Sequence, residues 1–376
     1  MRGTVNDIAV VGGGITGAFV AYLLARDGVG VTLVERDEIG GHASADNPGG
    51  LNPLHGPAIP GAMQAVALEA FRLHAASWEE VQRLSGIDFS PRKAARLHVA
   101  LDEADLATLE RVREPYASAP GFSARWVERE ELRELEPRLS PAVRRGLLTE
   151  GNARVDSASY TRALAVAAQA LGARAVSADA RDLVTGDGRV GEVVLDSGSV
   201  ACDGVVLAVG PWCERPAAWL GTRLPVEPVK GEMLLVEAPG GAVSTDIAWR
   251  DAAVYDGGEG QAWLGGTDER VGFQEAPSAA GRASILSRVA RVMPELSGAR
   301  VLKQVAALRP VTPDGIPIAG LVDGWQNVYA ALGSGRKGVL LSAAVARAVV
   351  DLLTRGRTQV PIGPCSPKRW LPAAAR

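Results

Sequence analysis

Three glycines spaced as Gly12-x-Gly14-x-x-Gly17, with Glu35 further along, form a set that can hold a dinucleotide. The first glycine permits a tight turn, the second lets a pyrophosphate approach the backbone, and the third lets a helix pack against a strand. The phosphates then sit at a helix N-terminus, where unpaired N–H groups and the dipole favour negative charge. An acid about 20 residues later accepts hydrogen bonds from a ribose. A glycine triplet alone is a weak signal, and the flanking elements are what strengthen it. Ile8-Ala9-Val10-Val11 is an apolar run of strand length, suited to a parallel strand buried on both faces. An apolar-faced helix carries Ile15, Thr16 and Gly17 and runs to Asp27-Gly28. Val31 to Val34 then reads as a second strand ending on Glu35-Arg36. Strand, glycines, helix, strand and acid in one register specify a dinucleotide site.

At 376 residues the chain exceeds the usual size of a single core, so two domains are expected. A hydrophobic content of 47% is ample for burial. The net charge of −3, with no segment rich in Lys or Arg, disfavours nucleic acid as an obligatory partner, since neutralising phosphates needs a basic patch. Three cysteines (Cys202, Cys213, Cys365) and four histidines (His42, His55, His74, His98) show no metal-ligand spacing, and the scattered thiols suit a reducing cytoplasm. No uncharged run reaches the ~20 residues of a membrane span, and the first apolar run is the nucleotide strand rather than a signal peptide.

Between 40 and 53 the chain is a long small-residue segment, Gly40-Gly41-His42-Ala43-Ser44-Ala45-Asp46-Asn47-Pro48-Gly49-Gly50-Leu51-Asn52-Pro53, able to lie flat against a large ligand. Periodicity predicts helices over 62–84, 102–112, 126–139, 279–292 and 339–353. It predicts a helix ending at 171, with Ser157 as its cap. Strands are expected at 89–101, from 172, at 190–195 with 199–201 as a hairpin, and at 204–212. Further strands are expected at 224–236, 248–255, 261–266, 301–309 and 328–332. Parallel-type strands at both ends with antiparallel material between them imply two interleaved domains in an α/β, partly α+β, fold.

In these pieces the chain resembles the D-amino acid oxidase superfamily of FAD enzymes, and within it the glycine and sarcosine oxidases and the amine-oxidising domain of a bacterial tRNA-modifying enzyme. The resemblance runs through the fingerprint, the Ala43-Ser44 to Asn52 loop, Val176, and 205–212 as a second flavin strand. It continues through Leu308-Arg309-Pro310-Val311-Thr312-Pro313-Asp314-Gly315-Ile316-Pro317 to Gly333–Leu341. It implies a Rossmann-like FAD-binding domain from 1–85, 141–225 and 300–376, and an antiparallel substrate domain from 86–140 and 226–299. FAD would then contact Gly12, Gly14, Ile15, Thr16, Gly17, Glu35 and Arg36, then Ala43, Ser44, Gly49, Gly50 and Leu51. Val176, Val209, Gly210 and Trp212 would follow, with Gly333, Gly335, Arg336, Lys337, Gly338 and Val339 completing the set. The family's arginine, here Arg309, lies beside the flavin and holds the substrate carboxylate. Arg336 would support that carboxylate or the flavin carbonyls.

Lys230 falls on a family motif and is expected either to line the active site or to bound the domain interface, and the position of the family's substrate-binding tyrosine is divided between Tyr255 and Ala253. Val305 stands where relatives often have Trp, and Gly333-Ser334 where many have Gly-His. His42 lies in the region where some relatives tether the flavin covalently. The implied reaction is oxidation of the C–N bond of a small amino acid or N-substituted glycine to its imine, then hydrolysis, with the flavin reoxidised by oxygen or another acceptor. The alternatives are a tRNA wobble-uridine carboxymethylaminomethyl oxidase and a non-catalytic flavin-binding subunit.

Overall fold

The computed structural model describes residues 7–370; the outermost ends of the expected segments 1–85 and 300–376 lie outside them. The apolar runs found in the sequence form a six-stranded sheet. Its order is Ile318–Leu321, Val328–Leu332, Gly204–Leu207, Asp7–Val11, Gly30–Glu35 and Arg174–Ser177. All neighbours are parallel except the Ile318–Leu321 edge strand. Side-chain alternation divides the first strand between two cores. Ile8 and Val10 pack with helices Ile15–Arg26, Gln64–Ser85, Ser157–Ala170 and Gly338–Arg355. Ala9 and Val11 face the other way, against a three-stranded sheet (Ala180–Gly186, Arg189–Leu195, Gly198–Ala201) through Leu183, Val193 and Leu195. Both faces of the parallel sheet are therefore covered, which is why its strands read as continuous apolar runs.

The second domain is a nine-stranded, mostly antiparallel sheet. Its path runs Val301–Val311, Glu227–Glu237, Gln261–Gly265, Ala252–Gly258, Asp246–Trp249, Arg92–Ala100, Arg145–Arg154 and Gly50–Leu51, with Ser123–Val127 pairing beside Arg145–Arg154. One junction, Asp246–Trp249 with Arg92–Ala100, is parallel. Helix Ala279–Val292 covers part of it through Ile285, Val289 and Val292.

Several expectations are corrected. The segments 145–154 and 301–311, grouped by 141–225 and 300–376 with the FAD-binding domain, supply strands to the antiparallel sheet, as do Gly50 and Leu51 from 1–85. An apolar run reveals a strand but not its partner, and partners set the domain boundary. The helix expected at 126–139 is a strand, Ser123–Val127, followed by helix Arg129–Leu135, because Trp126 and Val127 pair with Leu147 and Gly146. The single strand at 248–255 is two strands, broken at Arg250-Asp251. Asp156, not Ser157, caps helix Ser157–Ala170 by accepting from the Ser159 N–H. The Ser157 hydroxyl instead donates to the Ser44 carbonyl and accepts from Asn47, so it holds the small-residue loop.

Candidate active site

The glycine fingerprint is built by close packing. Gly12 has φ 108°, and a Cβ there would lie 2.4 Å from the Ala208 carbonyl oxygen. At Gly17 a Cβ would come within 1.9 Å of the Gly12 carbonyl oxygen, so this glycine lets helix Ile15–Arg26 sit against the first strand. Gly14 is different: its only close neighbour is the Ser44 hydroxyl, at 3.2 Å from a built Cβ. Gly14 is the helix N-cap and offers no side-chain cap, leaving the N-terminal N–H groups directed outward. The Ile15 N–H is met by the Ser44 hydroxyl at 3.0 Å. Glu35 accepts from the Gly13 N–H at 2.6 Å and from the Asp37 N–H at 2.9 Å, which fixes its carboxylate at the strand end.

A single cavity of about 1030 Å³ links this end to the antiparallel sheet. Gly12, Gly14, Ile15, Thr16, Glu35 and Arg36 line it, as do Ala43, Ser44 and Gly50 from the small-residue loop. Val209, Gly210 and Trp212 form another wall. The Arg36 guanidinium lies 4.4 Å from the Trp212 ring centroid, and the His42 ring meets Trp212 edge-on. His42 also hydrogen-bonds Asp37 at 3.0 Å, so its ring belongs to the Glu35 end of the cavity.

At the opposite end, Gly333, Gly335, Arg336, Lys337, Gly338 and Val339 all line the cavity. Gly333 and Gly335 take φ of 76° and 51°, a left-handed backbone that glycine adopts without strain. The chain then enters helix Gly338–Arg355, whose N-terminus also has no side-chain cap. Two helix starts whose N-cap residues offer no side-chain acceptor thus border one cavity, each suited to a negatively polarised group. The Lys337 ammonium lies over Gly56 and donates to the Asn52 carbonyl at 3.0 Å. Burial, with the charges of Arg96 and Arg336 nearby, pulls its pKa down to about 7.

Arg309 and Tyr255 enter the same cavity from the antiparallel sheet, and Ala253 lines it beside Tyr255 on one strand face. Both positions named for the substrate tyrosine are therefore at the site. Arg309 donates to the Thr267 carbonyl at 2.8 Å and pairs with Asp268 at 2.5 Å. Its guanidinium lies over Gly231, where a Cβ would be 2.0 Å from Nη2. Burial pulls the Arg309 pKa down, and Asp268 opposes that shift. Arg336 pairs with the other oxygen of Asp268 at 2.7 Å. Gly13, Gly231 and Asp268 were not singled out in the sequence. Asp268 follows strand Gln261–Gly265, so its place depends on where that strand ends.

Lys230 is placed elsewhere. It is 3% exposed, and its ammonium pairs with Glu232 at 2.8 Å and Glu269 at 3.2 Å. Strand alternation is the reason: Gly231 and Met233 face the cavity, so Lys230 and Glu232 face away. Val176, Gly17, Gly49 and Leu51 likewise do not line it. Val176 packs into the core beneath, while Ala178, Asp179 and Ala180 just beyond it reach the cavity. Gly49 is a packing glycine, with a built Cβ 1.8 Å from the Val155 carbonyl oxygen, and Leu51 is fully buried.

A family profile described as "DAO: FAD dependent oxidoreductase" matches residues 7–352. The chain belongs to this family. It is 29% identical to a glycine oxidase of Geobacillus kaustophilus over 367 residues, covering 97% of each chain. It is also 29% identical to a glycine oxidase of Pseudomonas putida, covering 96% of this chain and 98% of that one. The crystal structure of the Geobacillus kaustophilus glycine oxidase superposes with a TM-score of 0.89 at 28% identity, covering 98% of this chain and 100% of that one. The protein is an FAD-dependent enzyme of the amino acid and amine oxidase type, and FAD is its cofactor. The residues present fit that group: a Cβ would be blocked at Gly12 and Gly17 but only the Ser44 hydroxyl lies close to one at Gly14, and one cavity lined by Gly12, Gly14 and Glu35 extends to Arg309. Among the described residues no helix is long and apolar enough to cross a membrane.

Proposed function

We propose that this chain oxidises the C–N bond of a small amino acid or N-substituted glycine to an imine, which water hydrolyses to a 2-oxo acid and an amine or ammonia. The observation that carries this reading is that Arg309 and Arg336, which both line the cavity of the glycine fingerprint, converge on one carboxylate, that of Asp268. Two guanidinium groups already arranged around a carboxylate can hold a substrate carboxylate by the same charge-assisted bonds. Bound FAD supplies the hydride acceptor. The chain supplies position and field. Arg309 and Arg336 fix the carboxylate and so the direction of the adjacent C–H. Gly231 leaves room for the Arg309 guanidinium. The cationic surroundings, including Lys337, favour a neutral substrate amine, the form that releases hydride readily. The amine proton leaves to solvent as the imine forms.

Gly12, Gly14, Ile15, Thr16, Glu35 and Ser44 are assigned to the adenosine diphosphate portion of FAD, and Gly333 to Val339 to its ring. The test is anaerobic mixing of the purified yellow protein with a panel of small amino acids and N-methyl or N-carboxymethyl glycines. Bleaching of the flavin absorbance by at least one, with an imine-derived 2-oxo acid in the quench, is expected. A flavin left oxidised by the whole panel overturns the assignment.

A further inference from the structure

The cavity that Arg309 and Arg336 line holds a second polar group that the scheme above does not use. Arg96 and His98 project from the same face of strand Arg92–Ala100, and both line the cavity. Arg96 Nε and His98 Nε2 are buried and have no hydrogen-bond partner among the described residues. His98 is 4% exposed, and its ring contact is with His55, centroids 5.5 Å apart. Buried polar atoms in native proteins nearly always find a partner, so a pair of orphans on one wall points to a group that binds there.

The sign of that group follows from the neighbours. Among the described residues Arg96 forms no ion pair; Asp246 on the next strand bears on it electrostatically but is paired with Arg154 at 3.4 Å. Lys337 and Arg336 lie near enough to bear electrostatically on His55, and Arg96 on Lys337. Asp268 is already divided between Arg309 and Arg336. Tyr255 stands between the two sets, with the Arg96 guanidinium 5.5 Å from its ring centroid and Arg309 within electrostatic reach.

We propose that Arg96 and His98 form a second anion subsite, and that the substrates are amines with two carboxylates: one at Arg309 and Arg336, the other at Arg96 and His98. This rests on the amine-oxidation reading above and narrows its substrate class. Arg96 supplies the planar fork for the distal carboxylate, and His98 donates from Nε2. The glycine fingerprint accounts for the phosphates of the cofactor, so they do not compete for this wall.

The test uses holoenzyme and two unreactive probes, oxydiacetate and its monoanionic counterpart methoxyacetate, titrated against the flavin absorbance. Wild type is expected to bind oxydiacetate at least about tenfold more tightly, the gain of one charge-assisted pair. Arg96→Met is expected to abolish that gap while leaving methoxyacetate affinity unchanged, and Arg96→Lys to retain part of it. Equal affinities in wild type overturn the subsite without reference to any variant, and so does a gap that survives in Arg96→Met. Anaerobic reduction by iminodiacetate and by sarcosine separates this from the reaction itself. Reduction by sarcosine with no dianion gap leaves the oxidase and removes the subsite. A dianion gap with no reduction by either amine does the reverse.

Discussion

Asp268 joins Arg309 to Arg336: one carboxylate oxygen accepts from Arg309 at 2.5 Å and the other from Arg336 at 2.7 Å. The side chain is partly exposed, so on the proposed reading a substrate carboxylate at these two arginines competes with an internal one of the same chemistry. Asp268→Asn removes the competing charge. Affinity for a simple carboxylate such as methoxyacetate should then rise about tenfold, since hydrogen bonds to a charged group contribute roughly 1.5–3 kcal/mol. Titration of the flavin spectrum measures this. Weaker binding in the variant would mean that Asp268 orients the two arginines rather than competing for them.

Arg309→Lys keeps the charge but loses the planar fork. The loss should fall on kcat/KM for carboxylate substrates, about ten- to hundredfold, with normal flavin content. Arg309→Ala should cost more, because the desolvated carboxylate would lack a partner. An amine without a carboxylate should react poorly with wild type and about equally with both variants. A uniform slowing of both substrates would make Arg309 structural.

Gly14→Ala and Gly17→Ala should separate cofactor binding from folding. The Gly17 variant forces a methyl against the Gly12 carbonyl, and overpacking of this kind costs about 1–3 kcal/mol, so its apoprotein should melt lower. The Gly14 methyl meets only the Ser44 hydroxyl, so the apoprotein should melt normally while FAD affinity falls. Matched melting curves with and without FAD decide it.

Lys230→Met should act on stability rather than chemistry. It removes the charge partner of the fully buried Glu232, which keeps only the neutral donors of Ser278 and Gln304, and breaking a buried pair costs up to about 3–5 kcal/mol. The single-turnover rate of flavin reduction in the folded fraction should stay within about twofold of wild type. A large fall in that rate at unchanged stability would return Lys230 to the active site.

Acid should weaken the fold through His74. Burial lowers its pKa from 6.5 to about 4, while its ring bonds the Tyr160 hydroxyl and the Val339 and Leu340 carbonyls. Between those values the unfolded chain binds a proton that the folded chain refuses, so stability falls as pH drops from 6.5 to about 4. The loss is about 3 kcal/mol. Denaturation of the apoprotein at pH 7 and 4.5 should show a shallower pH dependence for His74→Gln than for wild type. Identical slopes would exclude His74 as the cause.

The sequence by itself determined the nucleotide end. Ile8 to Val11, the three glycines and Glu35 are contiguous or nearly so, and local sterics fix what each does: Gly12 must turn, and Gly17 must admit a carbonyl. Buried parallel strands also announce themselves, because both faces are apolar. The Arg309 end of the cavity depends on long-range pairing. Arg309 was legible as an arginine able to grip a carboxylate, but its partners Asp268, Gly231 and Arg336 come from three other stretches of chain. Lys230 and Gly231 are adjacent in sequence, yet the two-residue period of a strand sends one to a buried ion pair and the other to the cavity. Strand Arg145–Arg154 pairs with Arg92–Ala100, whose two-residue period sets Arg96 and His98 on one wall. Local sequence specifies elements through backbone sterics and periodicity. Which elements become neighbours is settled by pairing and burial across the whole chain.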